Sequence, residues 1–137
     1  MANTIKLEIV SPEKIVYATD VNMLIVRSTD GELGILPNHA PLIAALVPAP
    51  IRALTDDGEK LIAVSGGFIE VQPKKITILA TNAELPDAID VDRAQKAYDR
   101  AFERLQTKSD SVDTARAHAA LDRAKARLVA TKSFHQK

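Results

Sequence analysis

A chain of 137 residues has room for one medium domain, or for a small domain carrying an appendage. Its 18 basic and 18 acidic residues cancel, the absence of cysteine excludes disulfides and thiolate metal sites, and three scattered histidines make no metal cluster. No apolar run approaches the length of a membrane span, and Met1-Ala2-Asn3-Thr4 leads straight into an alternating pattern without the basic stretch and apolar core of an export signal, so a soluble, intracellular protein is expected.

The zero balance hides two unlike parts. Residues 1–85 carry 7 Lys/Arg against 10 Asp/Glu and hold all 5 glycines, whereas residues 86–137 carry 11 Lys/Arg against 8 Asp/Glu, no glycine and only Pro86. The expected domains are therefore 1–85 and 86–137. The basic excess sharpens at the end, where residues 116–137 hold six Lys/Arg against Asp122 alone. Such a stretch suits an acidic partner surface.

In the first part the dominant period is two. Ile5, Leu7 and Ile9 alternate with Lys6, Glu8 and Val10 until Ser11-Pro12 breaks the run, which predicts a strand with one buried face. A second β-type run covers 21–27 and is followed by Asp30-Gly31, a pair with the chemistry of a tight hairpin turn. Pro37 and Pro41 set an extended loop around Asn38-His39, where nothing nearby orients His39 as an acid or base and a structural role is expected. Further strands are expected at 51–54, 60–64, 68–71 and 76–80. They are separated by Asp56-Asp57-Gly58, Ser65-Gly66-Gly67 and Pro73-Lys74-Lys75. Ser65 fails as a nucleophile because Ala63 stands where the first glycine of a Gly-x-Ser-x-Gly elbow belongs. Many short strands at close spacing predict an antiparallel sandwich or barrel.

After Pro86 the pattern turns helical. Asp90 is positioned to cap a helix whose small or apolar residues Ala94, Ala97, Tyr98, Ala101 and Leu105 recur at steps of three and four. Ser109-Asp110-Ser111 interrupts it, and a second helix, capped by Asp110, carries Ala117, Leu121, Ala124 and Leu128 on one stripe. The short connection predicts an antiparallel hairpin. The expected fold class is mainly β plus α: an N-terminal antiparallel β-sandwich followed by a C-terminal antiparallel two-helix hairpin. Alanine stripes allow close approach but bury little area, and at roughly 25 cal/mol per Å² the hairpin is expected to be loosely held and able to change shape.

Four arginines mark this part. Arg93 and Arg100 lie two turns apart on the first helix and Arg123 and Arg127 one turn apart on the second, so helices folded back on each other could bring all four guanidiniums to one anion. The lead-in Ile89-Asp90-Val91-Asp92-Arg93-Ala94 follows Glu84 and adds carboxylates suited to a ribose or adenine edge. The alternative is a solvated charged face, whose surface pairs contribute about 0 to 1 kcal/mol each. The chain has no Gly-x-x-x-x-Gly-Lys-Ser/Thr loop, so it is not expected to hydrolyse nucleotides by itself.

The run Gly31-Glu32-Leu33-Gly34-Ile35-Leu36-Pro37-Asn38-His39-Ala40-Pro41-Leu42, with Ser65-Gly66-Gly67-Phe68-Ile69-Glu70-Val71, resembles the two signature segments of the epsilon-subunit family of bacterial F-type ATP synthases. The resemblance extends over essentially the whole chain. It implies a β-sandwich bound to a gamma subunit and the membrane proteolipid (c-type) ring. It also implies a mobile C-terminal hairpin that restrains ATP hydrolysis through transient contact with acidic segments of the catalytic alpha and beta subunits. The implied place is peripheral, on the cytoplasmic face of the bacterial plasma membrane, in a proton- or sodium-translocating complex to which the chain contributes no catalytic residue, metal or catalytic cofactor. In some bacterial members ATP binds the folded hairpin through Ile/Leu-Asp-x-x-Arg-Ala, present here in full from Ile89 to Ala94. By that resemblance Glu84, Ile89, Asp90 and Ala94 meet the adenosine part, while Arg93, Arg100, Arg123 and Arg127 surround the phosphates of a regulatory ATP. A stand-alone nucleotide-binding sensor is the competing reading. A nucleic-acid binder is disfavoured, since the first part is acidic and aromatic residues do not interleave with basic ones.

Overall fold

The computed structural model describes residues 3–107 and 113–131. The opening alternation forms β1 (Ile5–Val10), which turns through Ser11–Lys14 into antiparallel β2 (Ile15–Val21). The run expected over 21–27 is split: β2 ends at Val21 and β3 (Met23–Ser28) begins after Asn22. Asn22 breaks it because its amide N–H donates to Leu54 and its side chain to Asp56, both on a different hairpin. The tight turn expected at Asp30-Gly31 connects β3 to β4 (Gly31–Ile35), and the Ser28 hydroxyl closes it by accepting from the Asp30 N–H and donating to the Gly31 carbonyl.

The proline-bounded segment behaves partly as expected. Asn38 adopts a left-handed φ of 65° between Pro37 and His39, but Leu42–Leu46 then forms β5, a strand the proline spacing had masked. Next come β6 (Ala49–Thr55), β7 (Gly58–Val64), β8 (Gly67–Gln72), β9 (Lys75–Ala80) and the two-residue β10 (Ala83–Glu84). Gly67 opens β8 at a φ of 138°, and a Cβ there would lie 2.1 Å from the Leu79 carbonyl oxygen, so this close approach of β8 to β9 requires glycine.

The strands run in the order β10-β7-β6-β3-β5-β8-β9-β1-β2, with β4 on β3. One layer is built around β3, β6 and β7 and the other around β8, β9 and β1, joined where Ser28 of β3 meets Leu46 of β5. All pairs are antiparallel except β1 with β9, which is parallel. Between the layers lie the inward residues of each alternation, among them Ile5, Leu7, Ile9, Ile76 and Ile78 from one layer and Leu24, Val26, Ile51 and Ile62 from the other. This is the expected sandwich, its faces set by the period-two pattern.

A 3-10 turn at Pro86–Ala88 leads to α1 (Val91–Gln106), capped by Asp90, whose carboxylate accepts from the Arg93 N–H at 3.1 Å. The second helix, α2 (Thr114–Ala130), is capped by Asp113, which accepts from the Arg116 N–H at 3.1 Å. The expected cap Asp110 and the Ser109-Asp110-Ser111 break lie outside the described residues. Asp113 takes the role because it stands three positions before Arg116, whose N–H has no partner inside the first turn of the helix. The alanine stripes meet as expected, with Ala94 and Tyr98 of α1 against Ala124 and Leu128 of α2. A second face of α2, carrying Ala126 and Ala130, joins a cluster with Leu61 and Ala63 of β7, so the hairpin lies folded down on the sandwich. Among the described residues no helix is long and apolar enough to cross a membrane.

Candidate functional site

Where the hairpin meets the end of the sandwich there is a cavity of about 390 Å³. Its floor comes from Asn82 and Glu84, which stand two residues apart and so share the outward side of the extended chain while Ala83 between them is buried. Ala88 and Asp90 supply the entrance to α1, and Arg93, Ala94, Ala97 and Arg100 the wall along that helix. Seven residues of helix rise about 10 Å, so the guanidiniums of Arg93 and Arg100 are spread along a wall the length of a polyphosphate group. Ala94 and Ala97 keep the wall low between them. Arg127 reaches in from α2.

Arg127 is held. Its Nε donates to Glu84 Oε1 at 2.6 Å, and both side chains are largely shielded, with relative exposures of 27% and 25%. Arg93 and Arg100 are exposed and take part in none of the ion pairs among the described residues. The wall therefore carries two guanidiniums with spare donors and the floor one neutralised pair, an arrangement that favours an anion with several oxygens.

The residues expected from the sequence divide on this geometry. Glu84, Asp90, Arg93, Ala94, Arg100 and Arg127 all line the cavity. Ile89 does not: its side chain is buried in the cluster beneath the hairpin, with Ala94 and Tyr98. Arg123 is half-buried one turn before Arg127 and is absent from the lining. Asn82, Ala88 and Ala97 were not anticipated; the two-residue spacing of Asn82 and Glu84 was the available signal for the first. Asp90 spends one carboxylate oxygen on its cap.

A larger groove of about 600 Å³ runs between α2 and the β3–β4 and β6 side of the sandwich. It has less spare positive charge, because Arg27 lies 4.0 Å from Glu32 and Arg52 is bonded to Glu59 at 2.5 Å. The hydrogen bond to Glu59, then the charge of that carboxylate, raises the Arg52 pKa above its ordinary value. Among the described residues no group of three or more His, Cys, Asp and Glu side chains is placed to hold a metal ion.

A second surface lies on the outer face of the sandwich. Ile15 pairs with Val10, Val10 with Leu79, Leu79 with Phe68 and Phe68 with Ala45, forming an apolar row across β2, β1, β9, β8 and β5. Ile15, Leu79 and Phe68 are each more than half exposed, and Ile43, on the same side of β5 as Ala45, is 71% exposed. A contiguous apolar row of this kind is a candidate docking face.

Comparison with known proteins decides the family. Residues 4–86 match the ATP synthase delta/epsilon chain beta-sandwich domain, and residues 87–132 match the delta/epsilon chain long alpha-helix domain. The ATP synthase epsilon chain of Alkalihalophilus pseudofirmus is 52% identical over 110 residues, covering 80% of this chain and 83% of the relative. The chain belongs to the ATP synthase epsilon family. Its similarity to the Bacillus subtilis epsilon chain is 47% identity over 107 residues, 78% of this chain and 81% of that one. Among solved structures, a chain of the Euglena gracilis mitochondrial ATP synthase superposes with a TM-score of 0.78 at 22% identity, covering 95% of this epsilon-type chain and 82% of its own length. A chain from the central stalk and c-ring structure of the Tetrahymena thermophila enzyme gives 0.58 at 12% identity, covering 93% and 96% respectively. At those identities the likeness is one of fold.

Proposed function

We propose that this epsilon-type chain is a non-catalytic rotor subunit in the central stalk of an F-type ATP synthase, coupling rotation to catalysis and restraining ATP hydrolysis through its C-terminal hairpin. Family membership supports the assignment to the complex, and the apolar band across five strands is the observation that carries the rotor reading. A face of this kind needs a partner, and the gamma subunit is the partner proposed for it, with the proteolipid ring beneath. The solved structures that share the fold are of mitochondrial ATP synthase assemblies that include a c-ring and, for one, a central stalk. Membrane association then comes only through the complex, on the cytoplasmic face of the plasma membrane.

The hairpin is the regulatory part of this reading. Folded down, it completes the arginine-lined cavity, which takes ATP as a regulatory ligand; extended, its basic end reaches acidic segments of the catalytic alpha and beta subunits. The cavity binds rather than hydrolyses, since arginines match phosphate oxygens but, among the described residues, no phosphate-cradling loop or nucleophile lines it with them. A stand-alone nucleotide sensor is the second reading, and the arginine-lined cavity alone would serve it. That reading leaves the apolar band without a role. Co-expression with a gamma-type subunit separates them: stable co-purification through gel filtration is expected, and a chain that elutes alone under all salt conditions would return the sensor reading to first place.

A further inference from the structure

Resting on the anion-binding reading of the cavity, we infer that Glu84 is a positioning residue for Arg127 rather than a contact to the nucleoside. A carboxylate in the wall of a phosphate site is at first sight misplaced, because like charges repel across a partly dry cavity. The structure removes the conflict. Glu84 accepts from Arg127 at 2.6 Å, so its charge is neutralised within the pair. The bond is made through Nε, which leaves the Nη atoms of the same guanidinium for a second acceptor in the cavity that both residues line.

The anchor is rigid where it needs to be. Glu84 pairs with Ala63 and Ala83 with Val64, tying the carboxylate to β7 in the body of the sandwich. On the other side Ala126 and Leu128, the neighbours of Arg127, are buried against the same region. An arginine has several torsions to fix before its fork can meet an oxygen pair, and a carboxylate that holds Nε in advance removes that cost from the binding step. Arg93 and Arg100 have no such counter-ion among the described pairs, so Arg127 is the preset member of the cluster. The same bond pins α2 to the sandwich, so the group that orients the ligand's partner also holds the hairpin in its binding-competent position.

The test uses the full chain and two ligands, ATP and inorganic tripolyphosphate, titrated calorimetrically into wild type, Glu84→Ala, Glu84→Gln, Arg127→Ala and the Glu84→Ala/Arg127→Ala double variant. Backbone amide spectra establish that the sandwich is unchanged in each. A positioning role predicts that Glu84→Ala weakens both ligands by the same factor, about tenfold, as expected for loss of a charge-assisted hydrogen bond. It also predicts no further weakening in the Arg127→Ala background, and substantial recovery in Glu84→Gln, whose amide oxygen still accepts from Nε. A Glu84→Ala variant that loses ATP affinity but keeps tripolyphosphate affinity overturns the inference in favour of a nucleoside contact, and so do additive losses in the double variant. Should wild type bind ATP but not tripolyphosphate, additivity measured with ATP decides alone. If wild type binds neither, the anion site itself is wrong and this inference goes with it.

Discussion

Arg93 and Arg127 approach the same cavity from different helices, so their removal should have the same sign but different side effects. Each proposed phosphate contact is a charge-assisted hydrogen bond worth about 1.5–3 kcal/mol. Arg93→Ala and Arg127→Ala are expected to weaken ATP binding to the isolated chain at least tenfold by calorimetry. Arg52→Ala, whose guanidinium is bonded to Glu59 away from the cavity, should bind as wild type does. Wild-type ATP affinity in both Arg93→Ala and Arg127→Ala would remove the arginine-lined cavity as an ATP sensor and leave the family assignment untouched. At this scale the sequence was informative wherever local geometry sufficed. Asp90 is a cap because of its place before an apolar period, and Arg93 and Arg100 share a face because seven residues make two turns. It was uninformative where packing decides: nothing in the spacing of Arg123 and Arg127 says which one reaches the cavity, and nothing in the Ile89 motif says that its side chain is buried beneath the hairpin.

The strands that were legible as elements, β1 and the run from β6 to β9, carry clean alternation or strong turn signals at Gly58 and Gly67. The strand β2 was missed because Ile15–Val21 mixes exposed and half-buried positions and turns its apolar residues to both sides. Likewise β5 sits between prolines and reads as loop until β8 pairs with it. The helices were easier to read, since a 3.6-residue period is local and their stripes meet as the spacing predicts, although the cap of α2 is Asp113 where Asp110 was expected. The partition of the core into elements then supports a domain prediction. The sandwich core and the hairpin cluster are separate, and β7 contributes only Leu61 and Ala63 to the latter. A chain ending at residue 85 should therefore remain folded and still join gamma, with its urea midpoint lowered by the loss of the α2 packing on β6 and β7 and of the Glu84–Arg127 bond. Deleting 116–137 should instead leave assembly intact and raise ATP hydrolysis by the assembled enzyme under conditions that expose inhibition. Unchanged hydrolysis in that deletion would count against the brake.

At the scale of the whole molecule the two surfaces should be separable, because the apolar band belongs to the outer face of the sandwich and the cavity to its junction with the hairpin. Phe68→Glu places a charge in the middle of the band at a position already 56% exposed. It is expected to abolish co-purification with gamma while leaving ATP titration and thermal stability within error of wild type. The cavity, by contrast, is completed by the folded-down hairpin, since Arg127 of α2 closes a lining otherwise drawn from Asn82, Glu84, the approach to α1 and α1 itself. A ligand confined to that state shifts the equilibrium toward it by RT ln(1 + [L]/Kd), about 2.7 kcal/mol at a hundredfold excess over Kd. Saturating ATP should therefore slow amide exchange in α2 of the isolated chain by up to about a hundredfold where exchange proceeds through undocking, and leave β1 and β9 unaffected. Arg93→Ala should lose most of that protection without changing the exchange rate in the absence of ATP, because Arg93 is exposed and has no partner in any described ion pair. Arg127→Ala should do both, since the Glu84 bond that holds α2 down is lost with it. A chain whose α2 exchanges at one rate with and without ATP, at concentrations where calorimetry reports saturation, would show that the ligand binds without biasing the hairpin. ATP could then occupy the cavity and still have no hold on the brake.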